Sequence, residues 1–259
     1  MAAEVQQGFG RAASVLAVIG ASTTGPMRAS DIARATGLGP STVARLLATL
    51  DELGYVAKVG EMPGYTIGAT VLRLASEGLN QNPVHRESRA IAQELATRTG
   101  FSANVAVRDG DRLIYLCHFE GHHAPKSHTM VGMSQPLHAS ALGKCLLLGT
   151  DESERRELLG DLPVYTANTI AAHADLTREI EQVKRAGSAV EDQELALGRL
   201  GTAAPIRDSS GGVVAAISLS GRLTLMREHG IGQLTEDVVE AADRISVGLG
   251  LITAVAPHR

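Results

Sequence analysis

The chain has 259 residues, of which 44% are hydrophobic and 20% charged, with no tryptophan and a net charge of −4 at pH 7. That balance excludes a disordered polymer, and no apolar run approaches the roughly 18 residues of a membrane-spanning helix. Residues 1–80 are electrically neutral and the deficit lies beyond them, so no strongly basic footprint announces a nucleic-acid partner.

At roughly one domain per 100–200 residues the length predicts two domains. The start, MAAEVQQGFGRAA, lacks the basic opening and long apolar core of a signal peptide, which predicts a cytoplasmic protein. Cys117 and Cys145 are too few for a disulfide framework and are expected reduced there.

Residues 9–21 predict an apolar helix carrying Val15, Leu16, Val18 and Ile19, the natural partner for the segment that follows. That segment, SDIARATGLGPSTVARLLATLDEL at 30–53, reads as two short helices around a tight turn. Ser30 is the expected N-cap of the first, and Gly37 its left-handed stop. Leu38 plugs the gap, and Gly39-Pro40 restarts the chain, proline losing nothing at a first helical position. In the second helix Val43, Leu46, Leu47, Leu50 and Leu53 form one buried stripe. The opposite face carries Ser41, Thr42, Arg45, Ala48 and Thr49, with no acid before Asp51. Short, hydroxylic and cationic side chains let such a helix lie deep in a major groove. Tyr55 to Val59, a GEMPG turn and Tyr65 to Ile67 then predict a β-hairpin, with Lys58 on it as a candidate DNA contact. Together these make a winged helix-turn-helix over 1–68. With little net positive charge, two half-sites are needed, so a dimer is expected.

Residues 69–79 predict a connecting helix with Val71, Leu72, Ala75 and Leu79 on one side, a stripe suited to a twin in a partner subunit or to its own domain. NQNP at 80–83 marks the boundary, giving a linker at 69–82 and a second domain at 83–259. Within the latter, 84–98 reads as an amphipathic helix and 102–108 and 113–119 as strands joined at Asp109-Gly110. A loop and further strand over 120–133 follow. Helices are expected from Ser140, over 151–159 and over 174–186. Strands are expected at 188–191, 201–207 and 212–220, the last two joined by DSSGG, before a final helix over 235–255 capped by Thr235. The order of elements describes a mixed α/β sensor domain.

In the strand at 212–220, Val213, Ala215, Ile217 and Leu219 point one way, and Val214, Ala216, Ser218 and Ser220 the other. Two hydroxyls beside small apolar neighbours need partners and leave room for a ligand. Ser140, Ala141 and Gly143 open a helix whose free amides suit a carboxylate, although the serine capping its own helix explains them equally. Glu191 and Asp192 end a strand nearby, and Met130, Val131, Met133 and Leu137 offer an apolar wall or ordinary core. Cys117, His118, His122, His123 and His128 suggest a metal set, but with irregular spacing, and Cys145 a catalytic thiol, but on an apolar helix face. No nucleophile elbow, phosphate loop or dinucleotide fingerprint occurs, so neither catalytic residues nor a cofactor are expected.

ASDIARATGLGPSTVARLLATLDELGYV, LHASALGKCLLLG and EDQELALGRLGTAAPIRDSSGGVVAAISLSG resemble, in order, the winged helix-turn-helix and two effector-domain signatures of the IclR family of bacterial transcriptional regulators. The resemblance runs nearly end to end. It implies an α+β chain in which the DNA-binding domain joins, through the connecting helix, a GAF-like effector domain. It also implies dimers or dimers of dimers, and operator DNA binding altered by a small metabolite, read here as a carboxylate acting on a repressor. Residue by residue, the family's effector pocket falls on Ala141, Leu142, Glu191, Asp192, Gly201, Ser218 and Ser220, and Ser140 caps the helix beside it. A sensor or enzyme using Cys145, or the Cys117, His118, His122 and His123 cluster, is the alternative.

Overall fold

In the computed structural model, which describes residues 2–60, 64–124 and 129–252, the chain divides into two units, Met1–Gln81 and Asn82–Arg259. The first contains α1 (Ala2–Gly20), β1 (Met27–Arg28), α2 (Ala29–Thr36), α3 (Pro40–Glu52), β2 (Val56–Val59), β3 (Gly64–Ile67) and α4 (Ala69–Gln81). Val15, Ile19, Ile32, Val43, Leu47, Leu50 and Val56 form its core, with Leu38 packed partly against them. Gly37 ends α2 at φ +67°, a conformation that costs glycine no steric penalty.

Two expectations for this unit need correction. Ser30 lies inside α2 instead of capping it, and the cap position falls on Arg28, whose side chain makes no capping bond. The cause is β1, a two-residue strand pairing antiparallel with β3 through Met27 and Tyr65, too short to leave a periodic signal. It carries the chain straight into the helix. The buried stripe of α3 stops at Leu50, because the helix ends at Glu52 and Leu53 is 57% exposed. The expected GEMPG turn falls on 61–63, outside the described residues. No residue of α4 is buried, and Leu72 and Leu74 stand open.

The second unit comprises α5 (Pro83–Thr99), β4 (Ser102–Asp109), β5 (Arg112–Phe119), β6 (Ser134–Pro136), α6 (Ala141–Leu146), α7 (Glu152–Leu159), α8 (His173–Ala186), β7 (Ala189–Asp192), β8 (Arg199–Arg207), β9 (Val213–Arg222), α9 (Leu223–His229) and α10 (Ile231–Gly248). Its six strands run in the order β6-β5-β4-β9-β8-β7, with every pair antiparallel. The final helix begins at Ile231 and ends at Gly248. It therefore starts before Thr235, whose hydroxyl donates to Ile231 O and meets Thr202 Oγ1 at 2.8 Å instead of capping. The short α9, absent from the sequence reading, takes up the chain between β9 and α10.

Strand alternation sorts this sheet into two faces. Thr202, Leu219 and Ala103 lie in one register row and face α10, as the Thr202–Thr235 contact shows. Ala203, Ser218, Asn104 and His118 form a neighbouring row on the opposite face, where α6 packs. A bulge shifts the β4–β5 register between Val105 and Ala106, so that Val105 opposes Cys117 while Ala106 opposes Tyr115. Leu116 is the extra residue. Tyr115 and His118, three apart and expected on opposite faces, thereby share one.

The short α6 is held from two sides. Gly143 lies against Leu137, where an added Cβ would come within 2.0 Å of the Leu137 carbonyl oxygen. Lys144 is 1% exposed, and its ammonium donates to Glu194 Oε1 at 2.6 Å, Glu179 Oε1 at 2.8 Å and Val190 O at 2.9 Å. Those acceptors use all three protons and join α6 to α8 and to the chain leaving β7. Truncating a buried charged partner strands its counter-charges, at a cost of about 3–5 kcal/mol. Lys144→Ala is expected to lower the urea stability of this unit by that amount. A change under about 0.5 kcal/mol, the size of an ordinary surface substitution, would sink the structural role given to Lys144.

Candidate functional site

On the α6 face of the sheet, Glu191, Gly201, Ser220 and Ser102 occupy one register row and Ala203, Ser218, Asn104 and His118 the next. Small residues dominate, so a hollow remains between sheet and helix. Asn104 organises its polar floor: Nδ2 donates to Ser218 Oγ and Ser220 Oγ, each at 3.3 Å. Its Oδ1 can only accept, so His118 Nδ1 is the donor in their 2.7 Å bond. The two hydroxyls expected on one face are there, and protein groups partner them.

Ser140, Ala141, Leu142, Glu191, Gly201, Ser218 and Ser220 line a narrow slot together with Tyr115 and Arg199. Its free volume is only 10 Å³. Beyond Tyr115, Arg199 and Ser220 it widens into an outer cavity of 270 Å³, walled also by Asn104, Met130 and Leu197. At ~30 Å³ per water molecule the cavity holds about nine waters, or one small metabolite. Of the expected apolar wall, Met130 lines the cavity; Leu137 is core and Met133 is exposed.

Asp192 is not part of this site. It follows Glu191 on β7, so alternation turns it to the other face, where it pairs with Arg227 at 2.8 Å. Ser140 is fully engaged: Oγ accepts from Gly143 N at 3.1 Å and donates to Pro136 O at 3.0 Å. It caps its own helix, and the space Gly143 provides is taken by Leu137, not by a ligand.

Glu191 is buried. Its Oε1 accepts from the Glu194 and Leu195 amides at 2.8 and 3.2 Å, while Oε2 lies 3.6 Å from Arg199 Nε. Burial pushes the Glu191 carboxyl above its ordinary range, opposed in part by the Arg199 guanidinium. Burial also raises the Tyr115 phenol, whose hydroxyl donates to Gln135 Oε1 at 2.8 Å. Asn104, Tyr115 and Arg199 went unnoticed in the sequence. Period-two alternation through β4 pairs Asn104 with the serines only once strand order is known, and Tyr115 needs the bulge. Arg199 stands two residues before Gly201 on β8, which alternation alone could have flagged.

The alternative chemistry lacks geometry. Cys145 is wholly buried, and desolvation pushes its thiol up to about 12. Cys117 is likewise raised by burial and contacts Ser88 at 3.6 Å on the other face of β5 from His118. The His122 and His123 rings lie against each other, tilted by 49° with centroids 4.0 Å apart, and His128 lies outside the described residues. Among the described residues no three His, Cys, Asp or Glu are grouped to hold a metal ion.

In the first unit, Ser41, Ala44, Arg45, Ala48 and Thr49 are exposed along α3 and Thr42 is half-buried beside them. Among the described residues Arg45 has no ion-pair partner, whereas Arg34 is paired with Asp31. Thr49 Oγ1 donates to Arg45 O at 3.2 Å, and Lys58 on β2 is exposed with Nζ 5.9 Å from the Tyr65 ring centre.

Residues 77–247 match the model of the bacterial transcriptional regulator IclR C-terminal domain, and 10–60 that of the IclR helix-turn-helix domain. The HTH-type transcriptional regulator BhcR of Paracoccus denitrificans is 28% identical over 92% of this chain and 86% of its own length. The transcriptional repressor IclR of Escherichia coli is 29% identical over 89% and 85%. A crystal structure of an IclR homologue from Microbacterium hydrocarbonoxydans complexed with 4-hydroxybenzoate is 25% identical, covers 93% of this chain and 98% of that one, and superposes with a TM-score of 0.82.

Two consequences can be measured. At pH 8 the folded protein is expected to leave both thiols unreacted with an aromatic disulfide reagent, and to release two equivalents on denaturation; rapid labelling of the native chain would contradict their burial. Asn104→Ala, which strips partners from two hydroxyls and an imidazole, is expected to cost about 1–3 kcal/mol in thermal or urea unfolding.

Proposed function

Since the chain belongs to the IclR family of bacterial transcriptional regulators, we propose that it is a cytoplasmic repressor whose operator affinity is set by a small carboxylate bound in the second unit. The observation that carries this reading is the cleft between α6 and the sheet, with its small-residue walls and a floor of polar groups. Pockets of this character, largely apolar with a few placed polar groups, take small molecules. The complex formed by the Microbacterium hydrocarbonoxydans homologue makes 4-hydroxybenzoate a reasonable first probe.

For DNA, α3 is the element that enters the major groove. Arg45 reads a base edge, Ser41 and Thr42 contact phosphate or base from the first turn, and Thr49 and Lys58 flank them. A neutral DNA-binding unit gains affinity by doubling, and α4 exposes Leu72 and Leu74 for a second copy. The working form is therefore a homodimer or a dimer of dimers. The effector acts by binding the DNA-competent and DNA-incompetent arrangements unequally, a difference of about 1–3 kcal/mol in typical cases. Residues 69–82 connect the two units and transmit it.

A gel-shift series on DNA from upstream of the chain's own gene, at two salt concentrations and with a panel of small acids, tests the whole reading. A specific complex that weakens with salt and responds to one acid is expected; absence of any specific complex would overturn the regulator-at-its-own-promoter reading. Arg45→Ala is expected to lose about 1–3 kcal/mol of discrimination between operator and scrambled DNA while keeping its fold; an unchanged footprint would remove Arg45 from the interface. Ser218→Val combined with Ser220→Val is expected to abolish the acid response and spare DNA binding, and a normal response would move the ligand elsewhere.

A further inference from the structure

The outer cavity carries two guanidinium groups, Arg199 on β8 and Arg222 directly opposite it on β9, and among the described residues no aspartate or glutamate lines it. An anion is the complementary guest. The two arginines are not equivalent: the Arg222 residue is exposed at the rim, whereas the Arg199 side chain is 31% exposed and faces both the cavity and the inner slot. Partial desolvation strengthens a guanidinium–carboxylate bond, so Arg199 is the stronger anchor and Arg222 the steering charge.

Arg199 lies beside the Tyr115 phenol, and its carboxylate neighbour is a loose one. Its Nε stands 3.6 Å from Glu191 Oε2, beyond the length of a charge-assisted hydrogen bond. Glu191 is held independently by two backbone amides through Oε1, so it keeps its place when the arginine moves. Burial raises the Glu191 carboxyl despite Arg199, in keeping with incomplete compensation between them.

We propose that Arg199 is the residue that selects a carboxylate effector, and that Glu191 is a built-in competitor for the same guanidinium, weakening every acid that binds. The bound acid lies in the outer cavity against Asn104 and Ser220, its carboxylate taking the Arg199 protons that Glu191 holds poorly. This rests on the cleft being the effector site, and the experiment separates the two claims.

The probes are matched acids and amides that fit the cavity: benzoate and benzamide, 4-hydroxybenzoate and 4-hydroxybenzamide, lactate and lactamide. Binding to the full chain is measured by calorimetry, with the thermal midpoint of each variant as a folding control. For the wild type at least one acid is expected to bind about 10-fold or more tighter than its amide, the value of one charge-assisted hydrogen bond. Arg199→Met is expected to remove that preference, Arg199→Lys to restore part of it, and Arg222→Met to reduce affinity only a few-fold and mainly at low salt. Glu191→Gln is expected to bind the acid about 3- to 10-fold tighter, because a neutral amide holds the guanidinium less strongly.

If Arg199→Met binds the acid normally while the Ser218→Val, Ser220→Val double variant does not, the cleft holds the ligand but the anchor is wrong. If neither variant changes binding, the cleft reading fails as well. A wild type that binds amides as tightly as acids, or binds none of the six compounds, overturns carboxylate selection. Weaker acid binding by Glu191→Gln overturns the competition and makes Glu191 a ligand partner.

Discussion

The effector-side unit depends on a buried ammonium group. Lys144 sits in a helix of six residues, too short to persist on its own. Its three acceptors come from α8, from Val190 of β7 and from the segment after that strand. A charge so placed is a poor source of net stability, because the ammonium and the Glu194 carboxylate both had to leave water. What it supplies is position. With Lys144 fixed, the chain after β7 must fold over α6, and its Glu194 and Leu195 amides are turned onto Glu191. The carboxylate of the cleft is thus oriented by a lysine that never touches it.

The sheet contributes the other half of the arrangement. Each of its rows places one strand's residue directly beside the next, so Glu191, Gly201 and Ser220 become neighbours although they are spread along the chain. Gly201 leaves room beside the buried Glu191: a Cβ there would lie 3.7 Å from its Oε2 and 3.6 Å from the Ser220 Cβ. The opposite face of the same strands is filled with Ala103, Val105, Ile217 and Leu219, all fully buried. One face is packed for stability and the other keeps a hollow beneath α6.

Much of this was legible in the sequence, and the failures have specific causes. The stripe Val43, Leu47 and Leu50 and the proline and glycine around α3 identify the helix pair because local chemistry alone decides them. The alternation of Ser218 and Ser220 is equally local. Asp192 was misplaced because it was grouped with Glu191 as the end of one strand, although alternation along β7 sends the two side chains to opposite faces. Ser30 failed as a cap because β1 is defined only by its partner β3, far along the chain. Thr235 failed for a similar reason: its hydroxyl is claimed by Thr202 across the sheet–helix interface. Asn104 and Tyr115 belong to the site through strand order and a bulge, neither of which a single sequence displays.

That bulge has a further meaning for how the cleft can change over generations. One extra residue in β5 sets the phase of everything upstream of it on that strand, so Tyr115 is locked to the cleft side by a count, not by its own chemistry. If the same residues paired without the bulge, the phenol would turn toward α5 and Leu116 would face the cleft in its place. By contrast, point changes at alternate positions of β8 and β9 alter the cleft lining without shifting any other residue. New specificities can therefore accumulate along the β8–β9 hairpin one letter at a time, while on β5 the side that Tyr115 faces depends on the extra residue beside it.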